Sequence, residues 1–229
     1  MLIGAIGDLH GRNCWKKFLN ENPQINRWVF MGDYTDSFTV SDVDIRVNLL
    51  EIIKLKKANP DKVELLIGNH DFNYMFREDG FFCSGFRPNM KESLWAIFNE
   101  NKKLFNVAYQ EKDYLFTHAG IHSLWYLNNK EAMDMFDGNY ADKLNQAFNS
   151  RYYPIFYDVS RPRGGTSPAG SPLWADKSET VIDRFPVHQI VGHSRVNDII
   201  RVPTAFRDGY SITYTDCQDS VINFYELEI

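Results

Sequence analysis

Residues 2–11, LIGAIGDLHG, join a short apolar run to a glycine and to two side chains that can bind metals, Asp8 and His10. The apolar run is typical of a buried strand, and the glycine with the polar residues is typical of the turn that ends it. Ligands of an open α/β sheet bind outside the carboxyl ends of its strands. This segment therefore predicts an α/β fold with a ligand site at the edge of a sheet.

The same pattern, an apolar run followed by glycine or threonine and then by potential metal ligands, occurs four more times. The repeats are RWVFMGDYTD at 27–36, VELLIGNHD at 63–71, YLFTHAG at 114–120 and VHQIVGHS at 187–194. Four of the six histidines come directly after these apolar runs. Because parallel strands end at a common edge, we expect the five segments to converge on one site.

The patterns between these segments indicate helices, strands and one long loop. A helix is predicted over 41–58, where Ser41 and Asp44 resemble a capping box and one face contains Val43, Val47, Leu50, Lys54 and Ile53. The other predicted elements are a helix over 91–106, a hairpin formed by 107–109 and 114–117, a mostly helical segment over 123–150, a loop rich in proline and glycine over 158–172, and strands over 199–202, 211–215 and 221–227.

Composition excludes several classes of protein. The 229 residues, 44% hydrophobic and 24% charged, are typical of a folded chain, and we expect residues 1–229 to form a single domain. A net charge of -5 argues against a nucleic-acid scaffold. No apolar run is long enough to span a membrane, and Asp8 comes too early for a secretory signal, so we expect a cytoplasmic protein.

The potential ligands are carboxylates, imidazoles and one amide, without a thiolate. Such a set suits Mn, Fe or Zn better than copper or an iron-sulfur cluster. There are too many ligands for one tetrahedral ion, whereas two ions that share a bridging carboxylate would use them all. Two metal ions about 3.5–4 Å apart commonly cleave phosphate esters. The residues therefore predict a two-metal phosphoesterase, which also needs a proton donor for the leaving group.

In this order, the five motifs resemble the calcineurin-like metallophosphoesterase superfamily, in particular its phosphoprotein phosphatase and diadenosine tetraphosphatase branch of bacterial or phage type. The resemblance covers nearly the whole chain. It implies a four-layer sandwich, with two mixed β-sheets packed face to face and helices on the outer sides. It also implies two divalent metal ions, with Mn favoured and Fe, Zn, Ni or Co as alternatives, and hydrolysis of phosphomonoesters by metal-bound hydroxide.

The resemblance assigns a role to each motif. The implied metal ligands are Asp8 and His10 for the first ion, Asp33 as the bridge, and Asn69, His118 and His193 for the second ion. His70 would give a proton to the leaving oxygen or stabilise its charge. Asp36 would orient that histidine and favour its protonated form, as a carboxylate that is hydrogen-bonded to an imidazole does.

The sequence departs from the family where the substrate would bind. Phosphoprotein phosphatases continue the second motif with Arg-Gly, and that arginine holds the phosphate, whereas Ser37 and Phe38 stand here. Another arginine must take this role, because a guanidinium matches the geometry of phosphate. The candidate substrate-binding residues are Arg12, Arg163 and Arg195, and we favour Arg163, in the loop before a Leu-Trp-Ala-Asp stretch that resembles the family's Leu-Trp-Ser-Asp.

Three functions are open at this stage. We expect a phosphatase of the serine/threonine protein phosphatase kind, whose substrate is a phosphoprotein. A diadenosine tetraphosphatase, whose substrate is a nucleotide, is the alternative, slightly favoured by the Gly-Asn-His-Asp form of the third motif. A metal-binding scaffold of the same fold is less favoured, because such proteins usually lack His70 or metal ligands. The sequence does not indicate the oligomeric state.

Overall fold

A computed structural model describes residues 1–76, 83–203 and 209–229. These residues form ten strands and eight α-helices. The strands are β1 Leu2–Ile6, β2 Arg27–Phe30, β3 Val63–Leu66, β4 Phe105–Asn106, β5 Ala108–Glu111, β6 Tyr114–Thr117, β7 His188–Val191, β8 Ile200–Pro203, β9 Ser211–Tyr214 and β10 Tyr225–Glu228. The helices are α1 Trp15–Glu21, α2 Asp42–Ala58, α3 Asn69–Met75, α4 Lys91–Asn101, α5 Ser123–Asn128, α6 Lys130–Met133, α7 Tyr140–Phe148 and α8 Lys177–Thr180.

The first sheet contains five strands in the order β10-β1-β2-β3-β4. Strands β1 to β4 are parallel, and β10 is antiparallel to β1. In the register of the sheet, Ile6 lies opposite Phe30, which lies opposite Leu65. The first three motifs therefore leave the sheet side by side at one edge.

The second sheet has the order β5-β6-β7-β9-β8. Strands β6, β7 and β9 are parallel, and β5 and β8 are antiparallel to their neighbours. Thr117 lies opposite Val191, which lies opposite Tyr214. The fourth and fifth motifs consequently leave this sheet next to each other.

An apolar layer joins the two sheets. Ile3, Val29 and Leu66 of the first sheet form one buried cluster with Phe116 and Ile190 of the second. A larger cluster covers the opposite face of the first sheet, where helices pack on it. The expected architecture, two mixed sheets flanked by helices, is confirmed. None of the helices in the described ranges combines the length and the apolar character needed to cross a membrane.

Of the hydrophobic residues on the face predicted for α2, only Ile53 is buried. Ser41 caps this helix as expected, accepting a hydrogen bond from the backbone N–H of Asp44. Val47 is however 50% exposed, and the neighbouring stripe that contains Leu49 and Ile52 is fully buried. Both stripes are apolar, so periodicity alone does not distinguish the one that packs against the sheet.

Some boundaries and elements also differ from prediction. Helix α4 ends at Asn101, and Phe105–Asn106 forms β4 instead of a last helical turn. Residues 221–224 precede β10 and are not part of a strand. Helix α3 was not predicted, although it begins within the third motif, at Asn69.

Candidate metal centre

The five motifs meet at the edge where the two sheets end. The backbone N–H of His193, after β7, donates to both carboxylate oxygens of Asp8, after β1, at 2.9 and 3.1 Å. The backbone N–H of His70, in the first turn of α3, donates to Asp33 Oδ1 at 3.0 Å. Hydrogen bonds from backbone N–H groups to these two carboxylates therefore link motifs that are remote in sequence.

The backbone at this edge is strained. His10, Asp33, Asp36 and His193 have positive φ angles of 46°, 52°, 54° and 60°. Lys112 is the one other non-glycine residue with a positive φ in the described part of the chain. Each such conformation costs about 1–2 kcal/mol, so the surrounding structure must hold these residues in place. Strain of this kind is concentrated at functional sites.

Two glycines allow the carboxylates to approach the backbone. A Cβ atom at Gly68 would lie 2.1 Å from Asp33 Oδ1, and one at Gly192 would lie 2.3 Å from Asp8 Oδ1. No side chain fits at these distances. The glycine before the third motif and the glycine before the fifth are therefore required by the positions of Asp33 and Asp8.

His10 presents one ring nitrogen to the centre. Its Nδ1 lies 3.0 Å from the carbonyl oxygens of both Thr35 and Asp36. Burial, with a smaller effect of the nearby His70, lowers the pKa of His10 to about 4, so the ring is neutral at neutral pH. The proton therefore sits on Nδ1, and the lone pair of Nε2 faces Asp33 Oδ2 at 3.9 Å.

His118 shows the same arrangement in a fully buried setting. Its Nδ1 lies 2.8 Å from the carbonyl oxygen of Met31, and burial lowers its pKa to about 3. Its Nε2, which then carries a lone pair, lies 2.8 Å from Asn69 Oδ1 and 3.1 Å from His193 Nδ1. The Asn69 amide is held in this orientation because its Nδ2 donates to Cys83 Sγ at 3.0 Å.

These contacts bring acceptor atoms together without enough protons between them. The neutral His118 has a single ring proton, and Nδ1 uses it to donate a hydrogen bond to the carbonyl oxygen of Met31. Its Nε2 and Asn69 Oδ1 therefore face each other as two acceptors. His193 Nε2 is buried and has no hydrogen-bond partner in the described ranges. Burial also lowers the pKa of His193 well below its ordinary value. A bound cation satisfies such lone pairs, whereas an ordinary core does not leave them unpaired.

The buried carboxylates Asp8 and Asp33 also indicate a bound cation. Asp8 and Asp33 are buried, and burial raises the pKa of both well above its ordinary value. The negative charge of Asp216 adds to this effect at Asp8, and that of Asp8 adds to it at Asp33. Within the described ranges, the ion pairs of Asp8 and Asp33 are with histidines and none is with a lysine or arginine, and buried carboxylates of this kind are stabilised by divalent cations. The residues therefore fit a metal centre.

Asp33 is common to two sets of potential ligands. In each set the ligand atoms lie within 4.8 Å of one another, and the sets are His10, Asp33 and His70, and Asp33, His118 and His193. Asp8 and Asn69 are not in these sets, but Asp8 Oδ1 lies 3.9 Å from His118 Nδ1. All six predicted ligands are thus brought to one place.

His70 is held by Asp36, as the resemblance implies. Its Nδ1 lies 2.8 Å from Asp36 Oδ2, and its Nε2 lies 3.9 Å from Asp33 Oδ2. With Nδ1 occupied by Asp36, Nε2 is the atom that faces the centre. A proton on Nε2 would be available to a group bound there.

Two residues that support Asp36 were not predicted. The Tyr74 hydroxyl donates to Asp36 Oδ1, and the backbone N–H of Arg87 donates to that hydroxyl at 2.9 Å. The Arg87 guanidinium donates to the carbonyl oxygen of Ser37 and pairs with Asp42. His70 and Tyr74 are four residues apart and share a face of α3, a signal that was missed because α3 was not predicted.

Asp71 joins the second and third motifs. Its Oδ1 accepts hydrogen bonds from the backbone N–H groups of Tyr34 and Thr35 and from the Thr35 hydroxyl. Its Oδ2 accepts one from the N–H of Gly68. Burial raises the pKa of Asp71 to about 6. This carboxylate therefore fixes the turn that carries Asp33 relative to α3.

The three candidate arginines lie around the centre but in different places. Arg163 lines the main cleft together with Asp8, Asp33 and His193, and its Nη2 donates to Ser194 Oγ at 2.7 Å. Arg12 lines a smaller neighbouring pocket. Arg195 lines both cavities.

Comparison with known proteins gives a match to one family. The model of the calcineurin-like phosphoesterase family matches residues 1–203. A protein serine/threonine phosphatase from Saccharomyces cerevisiae with similarity to human phosphatase PP5 is 24% identical, with a TM-score of 0.36, and the match covers 53% of this chain and 38% of that one. The chain thus spans well under half the length of the yeast protein. A metallophosphoesterase from Sphaerobacter thermophilus is 11% identical, with a TM-score of 0.42, and the match covers 100% and 84%. No match is found among curated proteins.

Proposed function

The chain belongs to the calcineurin-like phosphoesterase family and is a hydrolase of phosphate esters, and we propose that it hydrolyses phosphomonoesters with two divalent metal ions, in the manner of a serine/threonine protein phosphatase. The observation that carries this proposal is the position of the Asp33 carboxylate between two groups of potential ligands, with Oδ2 3.9 Å from His10 Nε2 and 3.5 Å from His118 Nε2. A carboxylate shared by two ligand sets is the arrangement that two neighbouring ions require. We treat residues 1–229 as one catalytic domain.

The proposed ligands are those assigned by the five motifs. Asp8 and His10 would hold the first ion, Asp33 would bridge, and Asn69, His118 and His193 would hold the second. Mn²⁺ is the ion we propose, because oxygen ligands and imidazoles suit it. Bound ions would supply Lewis acidity to the phosphate and to the attacking water.

The protein's own residues would bind the phosphate and move one proton. Arg163, which lines the cleft beside Asp8 and His193, would donate to the non-bridging phosphate oxygens. His70 would give the proton on Nε2 to the leaving oxygen, while Asp36 keeps Nδ1 hydrogen-bonded and the ring in position. The Tyr74 hydroxyl, on the other oxygen of Asp36, would limit the movement of that carboxylate.

A dinucleotide hydrolase is the second candidate function, and one observation favours it. Phe38, which occupies the position of the family's Gly, is 77% exposed and lines both cavities at the centre. An exposed aromatic ring at the rim of a phosphate site offers a surface on which a nucleotide base can stack. The substrate comparison below separates the two candidates.

The experiment is a hydrolysis assay of the metal-free protein resupplied with Mn²⁺, Ni²⁺, Zn²⁺ or Mg²⁺. The substrates are nitrophenyl phosphate, bis-nitrophenyl phosphate, a phosphothreonine peptide and diadenosine tetraphosphate. Turnover of the monoester and the peptide supports the phosphatase, and selective cleavage of the dinucleotide supports the second candidate. Asp33→Asn is expected to lose bound metal, measured by elemental analysis, and His70→Asn to lose turnover with metal retained. Full activity in both variants would refute the proposed centre.

A further inference from the structure

A small pocket adjoins the metal centre on the side of His70. Its volume is about 180 Å³, against about 810 Å³ for the main cleft. It is lined by residues of the first three motifs, by the segment 37–39, and by three charged residues that the proposed mechanism does not use: Arg12, Arg195 and Asp219.

The three charged residues form one cluster. Arg12 Nη2 pairs with Asp219 Oδ1, and Arg195 Nε lies 3.3 Å from Asp219 Oδ2. Arg12 is also fixed by a hydrogen bond from Nη1 to the carbonyl oxygen of Leu9, at 3.3 Å. One carboxylate thus aligns two guanidinium groups that are remote in sequence. The three side chains together carry a net positive charge, and the buried Asp216 lies within electrostatic range of both guanidinium groups.

Part of this cluster is free to bind a ligand. The two terminal nitrogens of Arg195 donate to no residue within 1–76, 83–203 or 209–229, and the Arg195 side chain is 69% exposed. A guanidinium that uses only Nε for an ion pair can still present its other edge to an anion. His10 and His70 also line the pocket, so this edge lies beside the centre.

The location of the pocket separates this anion from the scissile phosphate. In the proposed function, Arg163 contacts the phosphate from the main cleft, and His70 faces the leaving oxygen. Arg163 lines the main cleft only, Asp36 lines the small pocket only, and His70 lies between them because it lines both cavities. The small pocket therefore lies on the Asp36 side of His70, opposite the side that Arg163 lines, and a group attached to the leaving oxygen can extend into it.

We propose that Arg12 and Arg195, aligned by Asp219, bind a second anionic group carried by the leaving group of the substrate. This inference rests on the proposed function. The anion is a phosphate or a carboxylate that lies a few bonds from the scissile phosphate. The volume of the pocket suits one such group on a compact substrate and is too small for a nucleoside.

Matched substrate pairs test the subsite. Fructose 1,6-bisphosphate is compared with fructose 6-phosphate, and 3-phosphoglycerate with glycerol 3-phosphate, each pair differing in the second anion. We expect kcat/KM to be about 10-fold higher for the member with two anionic groups, since charge-assisted hydrogen bonds are the strong ones. The preference should decrease at high salt, because Arg195 is exposed. A preference within either pair supports the subsite: within the fructose pair alone it identifies a phosphate, within the glycerate pair alone a carboxylate, and within both pairs a site that accepts either anion.

Substitutions of the two arginines test whether the cluster causes the preference for substrates with two anionic groups. Arg12→Gln and Arg195→Gln are expected to abolish the preference, because kcat/KM should fall more for the member with two anionic groups than for the singly phosphorylated member. Arg151→Gln, which removes an equal charge from an arginine that lines neither pocket, is the control and should keep the preference. A second readout is calorimetric binding of the two fructose phosphates to His70→Asn protein, with and without Arg195→Gln.

The outcomes distinguish the subsite from the proposed function. Equal kcat/KM within both pairs, or an equal loss for both members of a pair in Arg195→Gln, would overturn the subsite and leave the phosphoesterase standing. No turnover of any substrate with any metal would overturn the proposed function. In that event the calorimetric comparison still decides the subsite, because equal affinity of the bisphosphate for the two proteins would refute it.

Discussion

The hydroxyl of Tyr74 is expected to stabilise both the fold and the position of His70. It donates to Asp36 Oδ1 and accepts from the backbone N–H of Arg87 at 2.9 Å, and the side chain is buried. Tyr74→Phe keeps the ring but leaves one carboxylate oxygen and one N–H without their partner. A hydrogen bond to a charged group contributes about 1.5–3 kcal/mol, and the partly buried Arg87 N–H left without its partner costs about 1 kcal/mol more, so we expect a loss of about 2.5–4 kcal/mol.

Tyr34→Phe is the matched control. Tyr34 is fully buried in the same apolar cluster, but its hydroxyl has no hydrogen-bond partner among the residues described. Removal of an unpartnered buried hydroxyl should change the free energy of unfolding by less than about 0.5 kcal/mol. Denaturant unfolding of the two variants measures the difference directly.

The two variants should also differ in activity. Without the Tyr74 hydroxyl, Asp36 is held on one side only, and the His70 ring loses part of its orientation. We expect kcat to fall about 10-fold for alkyl phosphates, whose leaving groups need a proton, and to change little for nitrophenyl phosphate. KM should stay the same, because Tyr74 does not reach the cleft. Equal stability of Tyr74→Phe and Tyr34→Phe, or an equal loss of kcat on both substrates, would refute this reasoning.

Three further predictions follow from the geometry of the site and the core. Gly192→Ala places a Cβ 2.3 Å from Asp8 Oδ1, so Mn²⁺ affinity measured by calorimetry should fall at least about 10-fold, and unchanged affinity would contradict the close approach. The raised pKa values of Asp8 and Asp33 mean that the metal-free folded protein keeps protons that the unfolded chain has lost, so its stability falls as the pH rises from the ordinary carboxyl range to the raised values. Mn²⁺ binding releases these protons and therefore weakens as the pH falls. Calorimetry in buffers of different ionisation enthalpy measures this release, and none would argue against the raised pKa values. Leu49→Ala should cost about 2–5 kcal/mol and Val47→Ala less than about 1 kcal/mol, and similar losses in denaturant unfolding would contradict the buried face of α2.

The sequence predicts the parts of the site that depend on local pattern. Each apolar run such as Leu2–Ile6 has the composition of a buried strand, and the polar residues after it are adjacent in sequence to the strand end. The parallel registers then bring these ends together. Residues such as Asp8 and His118 could accordingly be predicted as candidate metal ligands from the sequence alone.

The supporting contacts could not be predicted in this way, because they join residues with no pattern in common. Arg12 and Asp219 are 207 positions apart, and Tyr74 and Asp36 are 38 apart. Nothing in the local sequence of Tyr74 distinguishes it from the other aromatic residues of the core. Its role depends on the exact position of α3 over the second motif, which is a property of the folded chain.

The metal centre combines several features that oppose folding when no cation is bound. Four residues have strained backbones, Asp8 and Asp33 are buried with raised pKa values, and His193 has a buried nitrogen without a partner in the described ranges. Hydrogen bonds to Asp71 and packing of the two sheets hold these groups in place nonetheless. A divalent cation at the shared Asp33 would offset the carboxylate repulsion and satisfy the free lone pairs. The features that are unfavourable in the metal-free chain are therefore the ones that would give the centre its affinity for metal.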